Sequence, residues 1–342
     1  MPYKRNQPQV YTKRETDCIR YNSRVRVGPI LIFGGAVVDL SKHAFFEGKI
    51  VPLADAKISI ATHGFLYGTS IFGGMRSYWN EEKKRLFVFR PYDHFRRLLH
   101  SAKMMAMQTS YDEESLIELT LELLRTDNWQ RDIYMRPTFY KADLGIGVKL
   151  HDLTDEFCMF VMAFDKYVQN DTNAHVTVSS WRRIDDNVIP ARGKVAGAYV
   201  NSALIKTDAV RSGFDEALVL DNNGHVSEGS AMNIFMLRDG VLVTPPITDN
   251  ILEGITRKSV IEIAKNELGL DVAERSIDRT EVFIAEEMFM TGTAAQITAI
   301  TKVDHRPIGT GVMGPTTTKL RTLYEDILRG KSKKYEHWNV AV

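Results

Sequence analysis

Ile189 to Tyr199 reads IPARGKVAGAY, with Lys194 at its centre. Gly193, Val195, Ala196, Gly197 and Ala198 put almost no bulk beside that lysine, so a flat ring could lie against the backbone there. Lysine is the side chain that forms a Schiff base with an aldehyde cofactor, and it does so best when desolvation lowers the pKa of its ammonium. Taken alone, a lysine in a Gly/Ala stretch is usually a solvated turn residue. The surrounding sequence decides between the two.

Glu228, in HVSEGSAMNIF, sits at a strand end next to Gly229 and Ser230. A carboxylate buried beside a ring nitrogen keeps that nitrogen protonated, and a protonated pyridine is an electron sink for a carbanion. Tyr199 follows the lysine by five residues, where its hydroxyl could reach a ring oxygen. Gly254, Ile255 and Thr256 precede a helical pattern, so free backbone N–H groups and the positive end of the dipole face an incoming anion. Thr291–Gly292–Thr293 offers a second small-residue nest, and Arg97 can add charge to it.

The chain has 342 residues, with 44 Lys plus Arg against 43 Asp plus Glu. That length suits two domains, and the balance supplies no overall field for nucleic acid or an acidic membrane. Cys18 and Cys158 have no disulfide framework or metal-ligand spacing around them, so no metal is expected. No run of about 18 apolar residues occurs and the first residues lack an apolar signal core, which predicts an unexported, cytoplasmic protein.

The predicted class is α+β, with an extension over residues 1–40, a small domain over 41–164, a linker over 165–173 and a large domain over 174–342. A strand at ILIFGGAVV (30–38) is expected to tie down the extension, and in the small domain strands are expected at FFEGKIV, AKISIA (56–61), RLFVFR, DIYMRPTFYK and EFCMFVMAF. Pro91 opens a helix with Phe95, Leu98, Leu99, Ala102 and Met105 on one face. Asp112 caps a second that turns Leu116, Leu119, Leu123 and Leu124 inward. In the large domain HVTVSSW is a strand, Asn223–Gly224 and Asp239–Gly240 mark hairpins, and antiparallel strands lie side by side. Helices are expected near residues 201–212, over RKSVIEIAKNEL with Thr256 as cap and Gly269 as stop, and over 316–328.

In order and wording, HGFLYGTSIFGGMRSY, HFRRLLHSAKM, YMRP, SSW, GKVAGAYVNS, SEGSAMNIF, GVLVTPP, GITRKSVI, EEMFMTGTAAQI and GPTTTKL resemble the class IV aminotransferases. These are the fold-type IV pyridoxal-phosphate enzymes, and within them the segments look like the branched-chain amino acid aminotransferases. The resemblance covers about residues 43 to 338. It implies a large domain with a pseudo-barrel sheet and pyridoxal 5'-phosphate as cofactor. It also implies that Lys194 carries the cofactor and shuttles the proton, that Glu228 pairs with the pyridine nitrogen, that Tyr199 bonds the ring hydroxyl oxygen, and that Arg97, Ile255, Thr256 and Thr293 hold the phosphate. The implied reaction is ping-pong transfer of an amino group from leucine, isoleucine or valine to 2-oxoglutarate by way of pyridoxamine phosphate.

For the substrate, the resemblance implicates Tyr67, Phe72, Gly74, Arg76, Tyr134, Arg136 and the backbone near Thr293 and Ala294. Phe72 suits an aliphatic side chain, while Tyr134, Arg136 and the backbone N–H groups suit carboxylates. Two positions depart from the family pattern: Gly73 replaces the usual acid, and Lys166 and Tyr167 stand where bacterial relatives often place Trp. Both border the substrate side, which leaves activity on aromatic substrates or (R)-amines open; a D-amino acid or (R)-amine aminotransferase of the same fold is the alternative. A 4-amino-4-deoxychorismate lyase and a non-catalytic pyridoxal-phosphate carrier share the fold and remain further ones. The loop KADLGIGV, Lys141 to Val148, resembles the segment that a neighbouring subunit adds to the site, so the expected partners are amino acids, 2-oxo acids and a second copy of the chain.

Overall fold

A computed structural model describes residues 30–32, 36–164 and 170–342. Most of the predicted N-terminal extension and linker residues 165–169, Lys166 and Tyr167 among them, lie outside the described residues. The expected strand over 30–38 is described as two short ones, Ile30–Ile32 and Ala36–Val38, paired antiparallel.

In the small domain, strands Leu40–Phe46, Lys49–Pro52, Ser70–Phe72, Met75–Asn80, Arg85–Phe89, Ile133–Lys141 and Asp155–Ala163 build an antiparallel sheet. Helix Pro91–Met104 starts at its proline and buries Phe95, Leu98 and Ala102 on one face, as the spacing predicts. Helix Glu113–Asp127 is capped by Asp112, whose carboxylate accepts from Ser115 N at 2.9 Å while Ser115 Oγ accepts from Asp112 N at 3.0 Å. Its Leu116, Leu119, Leu123 and Leu124 pack with Phe95, Met135, Phe139 and Phe157 into one core. Each such side chain contributes about 1.5–3 kcal/mol by leaving water.

The AKISIA stretch forms no strand: residues 56–61 are irregular, and Ile58 and Ile60 are exposed. Alternation makes a strand only where a neighbouring strand takes up the backbone groups. Among the described residues the only pairing nearby is an isolated bridge from Thr62 to Leu144.

A second sheet, of nine strands, is built between Ala174 and Pro307. Asp239 and Gly240, with φ of 51° and 75°, close the hairpin between Asn233–Arg238 and Val241–Thr244 as a two-residue turn demands. The Asn223–Gly224 signal likewise joins Glu216–Leu220 to Val226–Gly229. The sheet is mixed rather than purely antiparallel, because Ala174–Arg182 runs parallel to Glu216–Leu220 and to Gln296–Val303, and Val241–Thr244 parallel to Val272–Glu274. Parallel neighbours need a crossover, and helix Tyr199–Arg211 lies in the first of these connections. The predicted cap of the next helix shifts by two residues: Ile255–Leu268 begins after Gly254, and Thr256 lies inside its first turn.

After helix Pro315–Leu328 the chain turns back, and Asn339–Ala341 pairs with Arg85–Phe89 as the edge of the small domain's sheet. Arg329 clamps the return, donating to Asp132 and to the Trp79 carbonyl, while Asn80 Nδ2 donates to the Arg329 carbonyl at 2.6 Å. The sheet of residues 40–163 is thus completed by a strand from the far end of the chain.

Candidate active site

Lys194 lies on an irregular segment held by its backbone to strand Ser70–Phe72 and helix Pro91–Met104. Its carbonyl accepts from Phe72 N at 3.0 Å, its amide donates to Ser101 Oγ at 3.2 Å, and Val195 bridges Ile71. Gly197 N donates to the Gly68 carbonyl at 3.1 Å, and a Cβ on Gly68 would stand 2.9 Å from Gly197 Cα. The small residues of this stretch thus let two backbones touch, which fixes where the lysine points.

The Lys194 ammonium donates to Tyr199 Oη at 2.6 Å and stands 5.1 Å from the centre of the Phe72 ring. Enclosure by protein pulls its pKa down to about 7, with the nearby Arg97 adding to the effect. The side chain retains some contact with the cleft, but its charged end is ringed by protein and by two guanidinium groups, so the depressed value follows from its surroundings. Burial pushes Tyr199 up to about 12, so it stays a neutral phenol.

Across the cavity Glu228 is buried, with three donors on its carboxylate. Arg183 Nη2 meets Oε1 at 2.7 Å, while Leu252 N and Asn233 Nδ2 donate to Oε2 at 3.1 and 3.2 Å. Burial raises the Glu228 pKa, and the Arg183 guanidinium and the Leu252 amide act against that rise.

Gly254, Ile255 and Thr256, at the N-terminus of the fourteen-residue helix Ile255–Leu268, line the same cavity with Arg97, Thr291, Gly292 and Thr293. First-turn N–H groups have no partner within their own helix. Arg97 is steadied by donating Nη1 to the Glu253 carbonyl at 3.0 Å. Gly254 admits no side chain, because a Cβ there would run into Asn233 Oδ1, and Asn233 also holds Glu228 and the Leu252 carbonyl. The buried hydroxyl of Thr291 has no hydrogen-bond partner among the described residues. An orphaned donor, a helix N-terminus and an arginine make a cup for a phosphate. With an amine, a phenol and a buried carboxylate in the same cavity, this donor set fits a phosphorylated pyridine aldehyde.

Phe72, Gly74, Tyr134, Arg136, Ala294 and Ala295 are part of the same lining. Glycine at 74 leaves the space that the Tyr134 hydroxyl fills, since a Cβ would stand 2.5 Å from it. The Arg136 guanidinium rests 4.3 Å over the Phe72 ring and 5.2 Å over Tyr134, and its buried Nε has no hydrogen-bond partner among the described residues. Of the predicted site residues, Phe72, Gly74, Arg97, Tyr134, Arg136, Lys194, Tyr199, Glu228, Ile255, Thr256, Thr293 and Ala294 line one cavity. Two others are placed elsewhere. Tyr67 is partly exposed, stacks on His63 and accepts from Gly147 N at 3.2 Å. Arg76 is buried outside this lining, donating to the Phe164 carbonyl at 2.8 Å with Asp132 at 3.8 Å. Sequence reading named the Thr291–Thr293 nest but missed Arg183 and Asn233; Arg183 meets Glu228 from 45 residues before it, and Asn233 joins Glu228 to the Leu252 carbonyl across a loop that leaves no local pattern.

The chain matches the amino-transferase class IV family over residues 70–303. A probable branched-chain-amino-acid aminotransferase of Aquifex aeolicus is 48% identical over 299 residues, covering 87% of this chain and 96% of the relative. The branched-chain amino acid aminotransferase of Thermobaculum terrenum in its PLP form superposes with a TM-score of 0.85 at 34% identity, covering 89% of this chain and 99% of the other. The branched-chain aminotransferase of the thermophilic archaeon Thermoproteus uzoniensis, solved with norvaline, gives 0.84 at 38% identity, covering 88% and 99%.

Proposed function

This chain belongs to the class IV aminotransferases, and on that premise we propose that it moves the amino group of leucine, isoleucine and valine to 2-oxoglutarate. The observation that carries the reading is one cavity holding a near-neutral lysine amine, a buried carboxylate opposite it and a phosphate cup between two loops. Pyridoxal phosphate, the cofactor of this family, supplies the aldehyde that takes up the amino group and the ring that receives the electron pair left at the substrate Cα.

The residues of the chain do the rest. Lys194 would hold the cofactor, and with a pKa of about 7 its amine is free at neutral pH to accept the proton from the substrate Cα. Tyr199, a hydrogen-bonding phenol at that pH, steers the amine and the ring hydroxyl. Glu228 accepts the ring N–H, and Arg97 with the Ile255 and Thr256 amides and Thr293 holds the phosphate. Tyr134, Arg136 and the Thr293–Ala294 backbone receive carboxylates, and the face of Phe72 receives the aliphatic side chain. One pocket then takes both leucine and glutamate, because Arg136 can stay stacked on Phe72 or turn to a second carboxylate.

The assembly is a homodimer in this reading. Ile58, Ile60, Phe65, Leu66, Leu144, Ile146 and Val148 are exposed, Ile146 at 97%. Tyr67 ties the 141–148 loop to helix His63–Tyr67, and the two carry Phe65, Leu66, Leu144, Ile146 and Val148. Such a patch is covered in solution by a partner surface. The small and large domains divide near residues 165–173, apart from the returning C-terminal strand. No described helix is long and apolar enough to cross a membrane, and a cytoplasmic location accords with that.

The test mixes holoprotein with leucine, isoleucine, valine, D-alanine or (R)-1-phenylethylamine and follows the cofactor absorbance. The three branched-chain L-amino acids should discharge the aldehyde form. Discharge by D-alanine or the amine alone would replace this reading with one of the alternatives.

A further inference from the structure

We infer that Arg183 is the fixed counter-charge of Glu228, and that through it Arg183 sets the charge of the cofactor's ring nitrogen. The second half rests on the reading above that Glu228 faces that nitrogen. Arg183 directly follows strand Ala174–Arg182 and is pinned at both ends: its amide donates to the Leu220 carbonyl at 2.9 Å, and Nε donates to the Asn250 carbonyl at 3.2 Å. That leaves Nη2 on Glu228 Oε1 at 2.7 Å, in a pair whose side chains are 12% and 3% exposed.

The other two donors on Glu228, Asn233 Nδ2 and Leu252 N, are neutral and both serve Oε2. A buried carboxylate without a cation takes up a proton instead of staying ionised. Among the described residues, three titratable or charged groups face Glu228: Arg183, Lys194 and Tyr199. Tyr199 is a neutral phenol at working pH. The Lys194 amine has a pKa of about 7, and it ceases to be a free ammonium once it is bonded to the cofactor. Only the guanidinium, which does not deprotonate, is a cation in every state of the cycle. Without it Glu228 becomes a carboxylic acid that donates to the ring nitrogen in place of accepting from it, and the ring stays uncharged. Arg183 is therefore a positioning residue that acts through Glu228.

The test compares Arg183→Met, Arg183→Lys, Glu228→Gln and the double variant Arg183→Met/Glu228→Gln, first as apoproteins by thermal unfolding from about pH 5.5 to 8.5. In Arg183→Met the folded-state pKa of Glu228 lies further above its unfolded value. Its stability deficit should then grow as pH rises between those two values. The same Arg183→Met change made on Glu228→Gln should show no such growth, and Arg183→Lys should recover part of the loss. On reloading with pyridoxal phosphate, Arg183→Met should show a cofactor absorbance spectrum shifted towards the unprotonated ring. Its kcat should fall by about tenfold or more while KM for the amino donor changes by less than about threefold. A deficit of equal size at every pH in both backgrounds would overturn the counter-charge role and leave Arg183 as a strand-end anchor. A pH-dependent deficit with an unchanged cofactor spectrum would overturn the link to the ring nitrogen and, with it, the placement of Glu228 opposite that nitrogen.

Discussion

The two ends of the cavity differ in how well their charges are satisfied. At the Glu228 end, a buried anion has three donors already in place, and Asn233 ties it to a helix start that admits only glycine. At the Lys194 end, Lys194, Arg97 and Arg136 crowd together with no carboxylate between them among the described residues, the lysine depressed and Arg136 resting on an aromatic face. The first end is finished before any ligand arrives. The second is left in a strained electrostatic state that a phosphate and a substrate carboxylate relieve, so binding energy is concentrated where the chemistry occurs.

Three changes would break or sharpen that contrast. Lys194→Ala removes the proton carrier and should lower turnover by about a thousandfold or more, on the scale of lost acid–base and covalent catalysis, while the cup still retains cofactor weakly. Single-turnover absorbance checks it, and full activity in the variant would end the assignment. Arg136→Gln removes a cation aimed at carboxylates and should raise KM for 2-oxoglutarate by about ten- to a hundredfold, the range of a lost charge-assisted hydrogen bond. KM for leucine should rise less, and equal effects on both would mean the guanidinium serves only the shared carboxylate.

The smallest effect concerns pH. Reloading of apoprotein with pyridoxal phosphate needs the unprotonated Lys194 amine, so its rate should climb about tenfold per unit below a pH of about 7 and level off above it. The same depressed value means that the unfolded chain binds more protons between about 7 and the ordinary lysine value of 10.5. This group's contribution to stability therefore rises with pH across that window and is flat below it. A reloading rate still climbing at pH 9 would show that the cavity does not depress the amine.

Much of this site was legible in the sequence because its groups are carried by short stretches with their own wording: Lys194 with Tyr199, Glu228 before two small residues, and Gly254 before a helix. The helices of the small domain were legible for a similar reason, since Pro91 and Asp112 mark their starts and apolar spacing marks their faces. What escaped was set by tertiary partners. Arg183 sits in a WRRIDD run where two arginines look alike, and only the fold turns one of them onto Glu228. The alternation of AKISIA signalled a strand, yet no neighbour among the described residues was there to complete it. Nothing local in Asn339 to Ala341 indicates that it adds to a sheet built from residues far earlier in the chain.

That returning strand bears on how the protein can be taken apart. A fragment ending at residue 164 would leave the backbone groups of Arg85–Phe89 that face Asn339–Ala341 without partners, and would strip Asp132 of its Arg329 clamp. Bare edges of this kind recruit other chains. Expression of residues 36–164 alone should therefore yield aggregates unless the closing segment is grafted back, and a permuted fragment that starts ahead of Arg329 would be the better route to an isolated unit.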